Sequence, residues 1–152
     1  MTATHLLRQS PYSSRQMFDL VKDVARYPEF VPYCTGARVR EVRPHPDGTD
    51  VMTADLMIAY KMIRETYTSD VILDEKQLVI SVTQAHGPFR RLKNEWRFHD
   101  GGPEGAQGCE IEFFLDFEFR VPLLRRVIQP LMGRAVEKFV EAFEARADDI
   151  YA

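Results

Sequence analysis

The sequence predicts an α+β fold: a seven-stranded antiparallel sheet wrapped around one long C-terminal helix, with two short helices after the first strand. Three observations carry this reading. Between Gly36 and Arg120 apolar and polar residues alternate at period two, from Pro122 onward apolar residues recur at spacings of three and four, and between Ser13 and Pro32 lies a short helical signal. At 152 residues, with 45% hydrophobic and 28% charged side chains, the chain has the size and composition of one globular domain, residues 1–152. A chain of this length buries about two thirds of its unfolded surface, enough for a real core.

The first strand is expected over residues 4–10. Ser13-Ser-Arg-Gln16 then reads as a capping box, and Met17, Phe18, Val21 and Val24 follow at helical spacing, which predicts a helix over 14–25. Pro28 and Pro32 break it and leave a brief second turn over 27–31. Six further strands are expected over 37–43, 50–59, 64–73, 78–86, 92–99 and 109–120, joined by short connections as in an antiparallel meander. The last strand is the clearest. Ile111, Phe113, Leu115, Phe117 and Phe119 alternate with Glu110, Glu112, Asp116 and Glu118, the pattern of a sheet covered on one face and wet on the other. The glycine-rich stretch 101–108 reads as a surface loop.

The cover follows directly. Leu124, Val127, Ile128, Leu131, Ala135, Phe139, Phe143, Ala147 and Ile150 form one apolar stripe, and about 28 helical residues span roughly 42 Å. Pro130 is expected to bend this helix near Arg126.

Little points to catalysis. His5, His45, His86 and His99 fall on different strands and loops, and Cys34 and Cys109 have neither metal-knuckle spacing nor a neighbouring base. Nucleophile elbow, phosphate loop and dinucleotide fingerprint are all missing. No metal site and no required cofactor are expected. Residues 1–10 have neither signal-peptide nor transit-peptide character, and no segment reaches the roughly 20 apolar residues of a membrane span, so a cytoplasmic protein is expected. A net charge of −3 argues against DNA as a partner, and a monomer is expected.

Strand parity turns Met52, Ala54, Leu56 and Ile58, then Tyr67, Ser69, Val71 and Leu73, then Leu78, Ile80, Val82 and Gln84, then Leu92, Asn94, Trp96 and Phe98 inward. These are mostly apolar, as for any packed core. Tyr67, Gln84 and Asn94 are polar exceptions near one end, and a hairpin centred on Phe89 would set Gln84 opposite Asn94. Buried amides need partners: each other, trapped water, or a ligand.

Parity also groups the chain connections. The turns at 60–63, 87–91 and 120–126 share one end of the sheet and carry Tyr60, Lys61, Met62, Phe89, Arg90, Arg91, Arg125 and Arg126. The other end carries Asp47, Asp50, Asp74, Glu75, Asp100 and Glu104. A near-neutral total thus conceals a molecule with a basic, partly apolar end. That end suits an anionic membrane interface, and also RNA through phosphate neutralisation and stacking.

The run Asp23-Val-Ala-Arg-Tyr27-Pro28-Glu-Phe30-Val-Pro32-Tyr33-Cys34 resembles a segment of the coenzyme Q-binding START-domain family, which also includes the bacterial ribosome-association toxin. Gly87-Pro-Phe89-Arg-Arg-Leu92-Lys-Asn94-Glu-Trp96-Arg-Phe98 and Phe139-Val-Glu-Ala-Phe143-Glu-Ala-Arg146-Ala extend the resemblance over nearly the whole chain. It implies the helix-grip (START/birch-allergen-like) fold. It also implies non-catalytic binding of a lipophilic ligand, most simply ubiquinone or a related isoprenoid quinone, between sheet and helix, by a carrier or chaperone that supports respiration. Binding to the large ribosomal subunit is the alternative, and a cyclase or aromatase activity is a distant third. The ligand site expected on this basis takes Trp96, Phe113, Phe117, Val127, Leu131 and Phe139 from sheet and helix, Tyr27, Phe30 and Tyr33 from the proline-bounded segment, and Tyr67, Gln84 and Asn94 for the head group. The basic end is its expected mouth and its docking surface on inner membrane or ribosome.

Overall fold

The computed structural model describes residues 2–101 and 108–152. Strands β1 (Thr2–Ser10), β2 (Cys34–Pro44), β3 (Asp50–Tyr60), β4 (Ile63–Asp74), β5 (Val79–His86), β6 (Phe89–Asp100) and β7 (Cys109–Phe119) form one antiparallel sheet in the order β1-β7-β6-β5-β4-β3-β2. The expected α+β meander is what the chain forms. Most of the expected glycine-rich loop, with Glu104, lies outside the described residues.

Helix α1 (Ser14–Lys22) starts at the expected capping box: the Ser13 hydroxyl accepts from the Gln16 backbone N–H at 3.1 Å, and the Gln16 side-chain Oε1 accepts from the Ser13 N–H at 2.9 Å. It ends three residues earlier than expected. Pro28 has no N–H to continue an α-helix and disfavours α geometry at Tyr27, so Val24–Glu29 tightens into a 3₁₀ turn. The Tyr27 hydroxyl then donates to the Val21 carbonyl at 2.5 Å and closes the helix end.

Two β-bulges interrupt the pairing around the β5–β6 hairpin. One, at Thr68/Ser69, lies in the β4–β5 ladder and the other, at Phe89/Arg91, in the β6–β7 ladder, while the β5–β6 ladder itself is regular and sets Val82, not Gln84, opposite Asn94. The hairpin turns at Gly87, where a Cβ would stand 2.4 Å from the Tyr67 Cβ and 2.6 Å from the Gln84 side-chain oxygen. Only glycine fits there.

The larger difference lies at the C-terminus. In place of one bent helix of about 28 residues, a π-helical turn (Leu124–Ile128) and a 3₁₀ turn (Gln129–Leu131) precede helix α2 (Met132–Tyr151), whose 20 residues span about 30 Å. Pro130 is the cause: its ring crowds the Arg126 carbonyl and it offers no N–H, so the backbone widens before it and tightens around it. The interruption re-phases the apolar stripe. Val127 and Leu131 are 53% and 49% exposed, whereas Val136 and Val140 join Ala135, Phe143 and Ala147 against the sheet. Buried Gln129 pins this segment, donating to the Phe117 carbonyl at 2.9 Å and accepting from the Phe119 N–H at 3.1 Å.

The core lies between α1, α2 and the inner sheet face. Trp96 is 2% exposed at its centre, stacked on Phe98 and edge-on to Phe113 and Phe143, with ring centroids 6.1, 4.8 and 5.1 Å away.

Candidate functional site

The core is not packed solid. Between α2, the inner face of β3–β7 and the start of β2 lies a cavity of about 180 Å³. A cavity near 150 Å³ holds one benzene molecule. The space here is therefore of the size of a single ring.

Of the residues assigned to a ligand site, Tyr27, Tyr33, Tyr67, Asn94, Phe113, Phe117 and Phe139 line this cavity. Five do not. Trp96 is sealed behind Phe113 and Phe139, with centroids 4.8 and 6.1 Å away. Phe30 packs behind the wall, edge-on to Phe143 at 5.1 Å and under the Arg146 guanidinium at 4.9 Å. Val127 and Leu131 are turned to solvent by the re-phasing at Pro130. Gln84 is spent on the backbone of Phe89. Sequence reasoning missed Val31, Cys34, Leu115, Met132 and Val136 as site residues, all on the wall. Val136 becomes legible only if the stripe is read afresh after Pro130.

The wall is mainly apolar, and its polar groups are few. Tyr27 is committed to the Val21 carbonyl, and the Cys34 thiol donates to the Gly36 carbonyl at 3.4 Å. One Asn94 amide N–H donates to the Phe114 carbonyl at 2.8 Å. The Tyr67 hydroxyl has no hydrogen bond among the described residues. Burial pushes the Tyr67 hydroxyl and the Cys34 thiol above their ordinary values, so both stay protonated at neutral pH. A protonated thiol is a poor nucleophile.

At one end of the lining the β3–β4 hairpin meets the start of α2. The Tyr60 hydroxyl donates to the Leu131 carbonyl at 3.4 Å, and Tyr33, held at φ 67°, meets the Tyr60 ring edge-on at 4.9 Å. Met62 stands at the hairpin tip, 96% exposed, beside Lys61.

The expected docking set is only partly there. Phe89 is buried, stacked on Phe119 at 5.2 Å, and forms part of the cavity wall, because the Gln84 clamp folds it inward. Arg90, Arg91 and Arg125 lie along the outer sheet face as partners of Glu118, at 2.9, 3.4 and 3.5 Å, and Arg91 also reaches Asp116 at 3.1 Å. Exposed Lys61, Arg126 and Arg134 have no ion pair among the described residues and flank exposed Met62, Val121, Leu123, Val127 and Leu131.

A wider groove of about 390 Å³ on the outer sheet face is lined by His5, Lys93, Glu95, Arg97, Glu112 and Phe114. Glu112 hydrogen-bonds His5 at 2.8 Å and His99 at 3.2 Å, and Glu95 pairs with Arg97 at 2.6 Å. Among the described residues no cluster of His, Cys, Asp or Glu is placed to hold a metal ion, and no helix is long and apolar enough to cross a membrane.

The chain is 35% identical, over 93% of its length and 84% of the relative's, to the ribosome association toxin RatA of Escherichia coli. It is 32% identical, over 87% of its length and 52% of the relative's, to the mitochondrial coenzyme Q-binding protein COQ10 of Drosophila melanogaster. It shares its fold with a START superfamily protein of Mycobacterium smegmatis, with a TM-score of 0.79, 17% identity, and coverage of 97% of this chain and 98% of that one. Residues 10–144 match the family described as polyketide cyclase/dehydrase and lipid transport. With a cavity beneath its long helix and this match over nearly its whole length, the chain belongs to that START-like family.

Proposed function

We propose that the protein binds, without catalysis, a lipophilic molecule with a single-ring head and a long apolar tail, ubiquinone or a related isoprenoid quinone, and acts as its carrier or chaperone. The cavity carries this reading: about 180 Å³ of largely apolar space that accepts one ring and cannot enclose an isoprenoid tail. The name of the COQ10 relative supports it. The tail leaves beside the Tyr60–Leu131 contact and passes over the exposed apolar side chains there. Those side chains, with Lys61, Arg126 and Arg134, face the anionic surface of the inner membrane in this reading, each cation contributing about 1 kcal/mol.

A second reading is binding to the large ribosomal subunit. Identity of 35% to a ribosome association toxin favours it, and the same unpaired cations would meet RNA phosphates. Lipid extraction and mass spectrometry of protein purified from its own host, alongside cosedimentation with ribosomes, decides between them. A stoichiometric single-ring lipid and no cosedimentation supports the carrier; empty protein on large subunits overturns it.

A further inference from the structure

The apolar core is divided. One cluster gathers around Trp96, Phe113 and Phe143 and takes Val136 and Val140 from α2; the other is built from Phe89, Phe117 and Phe119, with Met132 packed against it. Leu115 of β7 touches both. The cavity draws its wall from the two alike, Phe113 and Val136 from one and Phe89, Phe117 and Met132 from the other, so it is the space that parts them.

Ala135 lies at that division. It is 6% exposed and lines the cavity, yet among the described residues it joins neither cluster. The side chains that α2 presents to the cavity are Met132, Ala135, Val136 and Phe139, on one face at spacings of three and four. Met132 and Phe139 stand about 10.5 Å apart along the helix axis. Between them Ala135 ends at its methyl group, and every other described residue of the wall carries a larger side chain. A buried position that faces empty space forgoes the contacts a larger side chain would make, so the notch is kept at a cost in stability.

We infer that Ala135 is the seat of the ligand's ring and that its small size decides whether a ring is admitted. The inference rests on the reading that a ring enters the cavity. Lying on the Ala135 methyl, between Met132 and Phe139, a ring touches both clusters and joins them into one core. Ala135→Phe supplies such a ring from the chain itself: a benzene molecule fills about 150 Å³, so the added phenyl group takes the ligand's place. Ala135→Leu fills less of the space and crowds the ring.

The test is calorimetric titration of the full chain and of these two variants with a ubiquinone of one isoprene unit, beside thermal unfolding of each without ligand. Both variants should unfold about 2–4 °C higher than the parent, because they fill empty space. Ala135→Leu should bind about tenfold more weakly or worse, since the overpacking falls on the bound ring, and Ala135→Phe should not bind. A merely structural position would lose stability and binding together. In the parent, which needs no variant to fold, nuclear Overhauser effects should join the Ala135 methyl to the ring substituents. Parent-like affinity in Ala135→Leu, lower unfolding temperatures in both variants, or ring contacts in the parent that omit the Ala135 methyl overturn the seat while leaving ring binding intact. A parent that does not bind the ubiquinone overturns the seat together with the ligand reading beneath it.

Discussion

The side-chain amide of Gln84 closes on both backbone polar groups of Phe89, donating to its carbonyl at 2.7 Å and accepting from its N–H at 3.0 Å. The amide imitates a ladder rung where β5 has parted from β6, and so turns the Phe89 ring into the cavity wall rather than out to solvent. One polar residue that parity alone would aim at a ligand is thereby a structural clamp.

Gln84→Leu nearly keeps the volume and removes both bonds, leaving the half-buried Phe89 N–H unmet and its carbonyl with Arg120 alone. It should destabilise the fold by about 1–3 kcal/mol in chemical denaturation, with weaker ligand binding in the protein that remains folded. Unchanged stability would mean that the clamp is incidental.

The re-phasing at Pro130 separates side chains that share one stripe in the sequence. Val140→Ala, under the sheet at 1% exposure, should cost about 1–3 kcal/mol, while Val127→Ala should stay within about 0.5 kcal/mol of the parent. Equal costs in thermal unfolding would restore a continuous buried stripe.

These contrasts show what was legible. The capping box, the β7 alternation and the meander depend on local pattern and short connections, and a single chain displays both. The side on which Phe89 falls depends on the bulge at Phe89/Arg91, which moves the β6–β7 pairing by one residue without a period-two signal, and the residue opposite Asn94 depends on where the β5–β6 hairpin turns. Pro130 announces a break but not its form, and the π turn decides whether Val127 or Val136 faces the cavity. The pairing of Arg90 and Arg91 follows from the β6–β7 register, which brings Arg91 opposite Glu118, and Arg125 reaches the same carboxylate from the π turn. Grouping the turns by sheet end does not reveal that.

The Glu118 carboxyl is held below its ordinary 4.5 by its hydrogen bond from Arg90, then by the charges of Arg90, Arg91 and Arg125, against the opposing effect of burial. A lowered folded-state value stabilises the fold above the unfolded value and is lost as pH falls through the folded one. Stability should therefore decline with acid from just below pH 4.5, and Glu118→Gln should flatten that decline. The same substitution frees Arg90 and Arg125 while Arg91 keeps Asp116, so binding to anionic vesicles should rise at neutral pH in a flotation assay. A fall would show that Glu118 itself contacts the partner.

Reversal of the unpaired cations, Lys61→Glu, Arg126→Glu and Arg134→Glu together, should cut binding to phosphatidylserine-containing vesicles by about tenfold or more at low salt and leave thermal stability nearly unchanged. Met62→Ala and Leu123→Ala, which remove exposed apolar surface, should weaken vesicle binding at any salt. Intact vesicle binding in the triple variant, with loss of ribosome cosedimentation, would move the surface to the ribosome reading.

The central claim is that a single ring occupies the space between α2 and the sheet. Intermolecular nuclear Overhauser effects between isotopically labelled protein and a short-tailed ubiquinol test it most directly. Ring-methyl contacts to Phe113, Phe117 and Phe139, with tail contacts to Tyr60 and Leu131, are the result expected. Saturating ligand that perturbs only the outer face around Phe114, or leaves the spectrum unchanged, would contradict it.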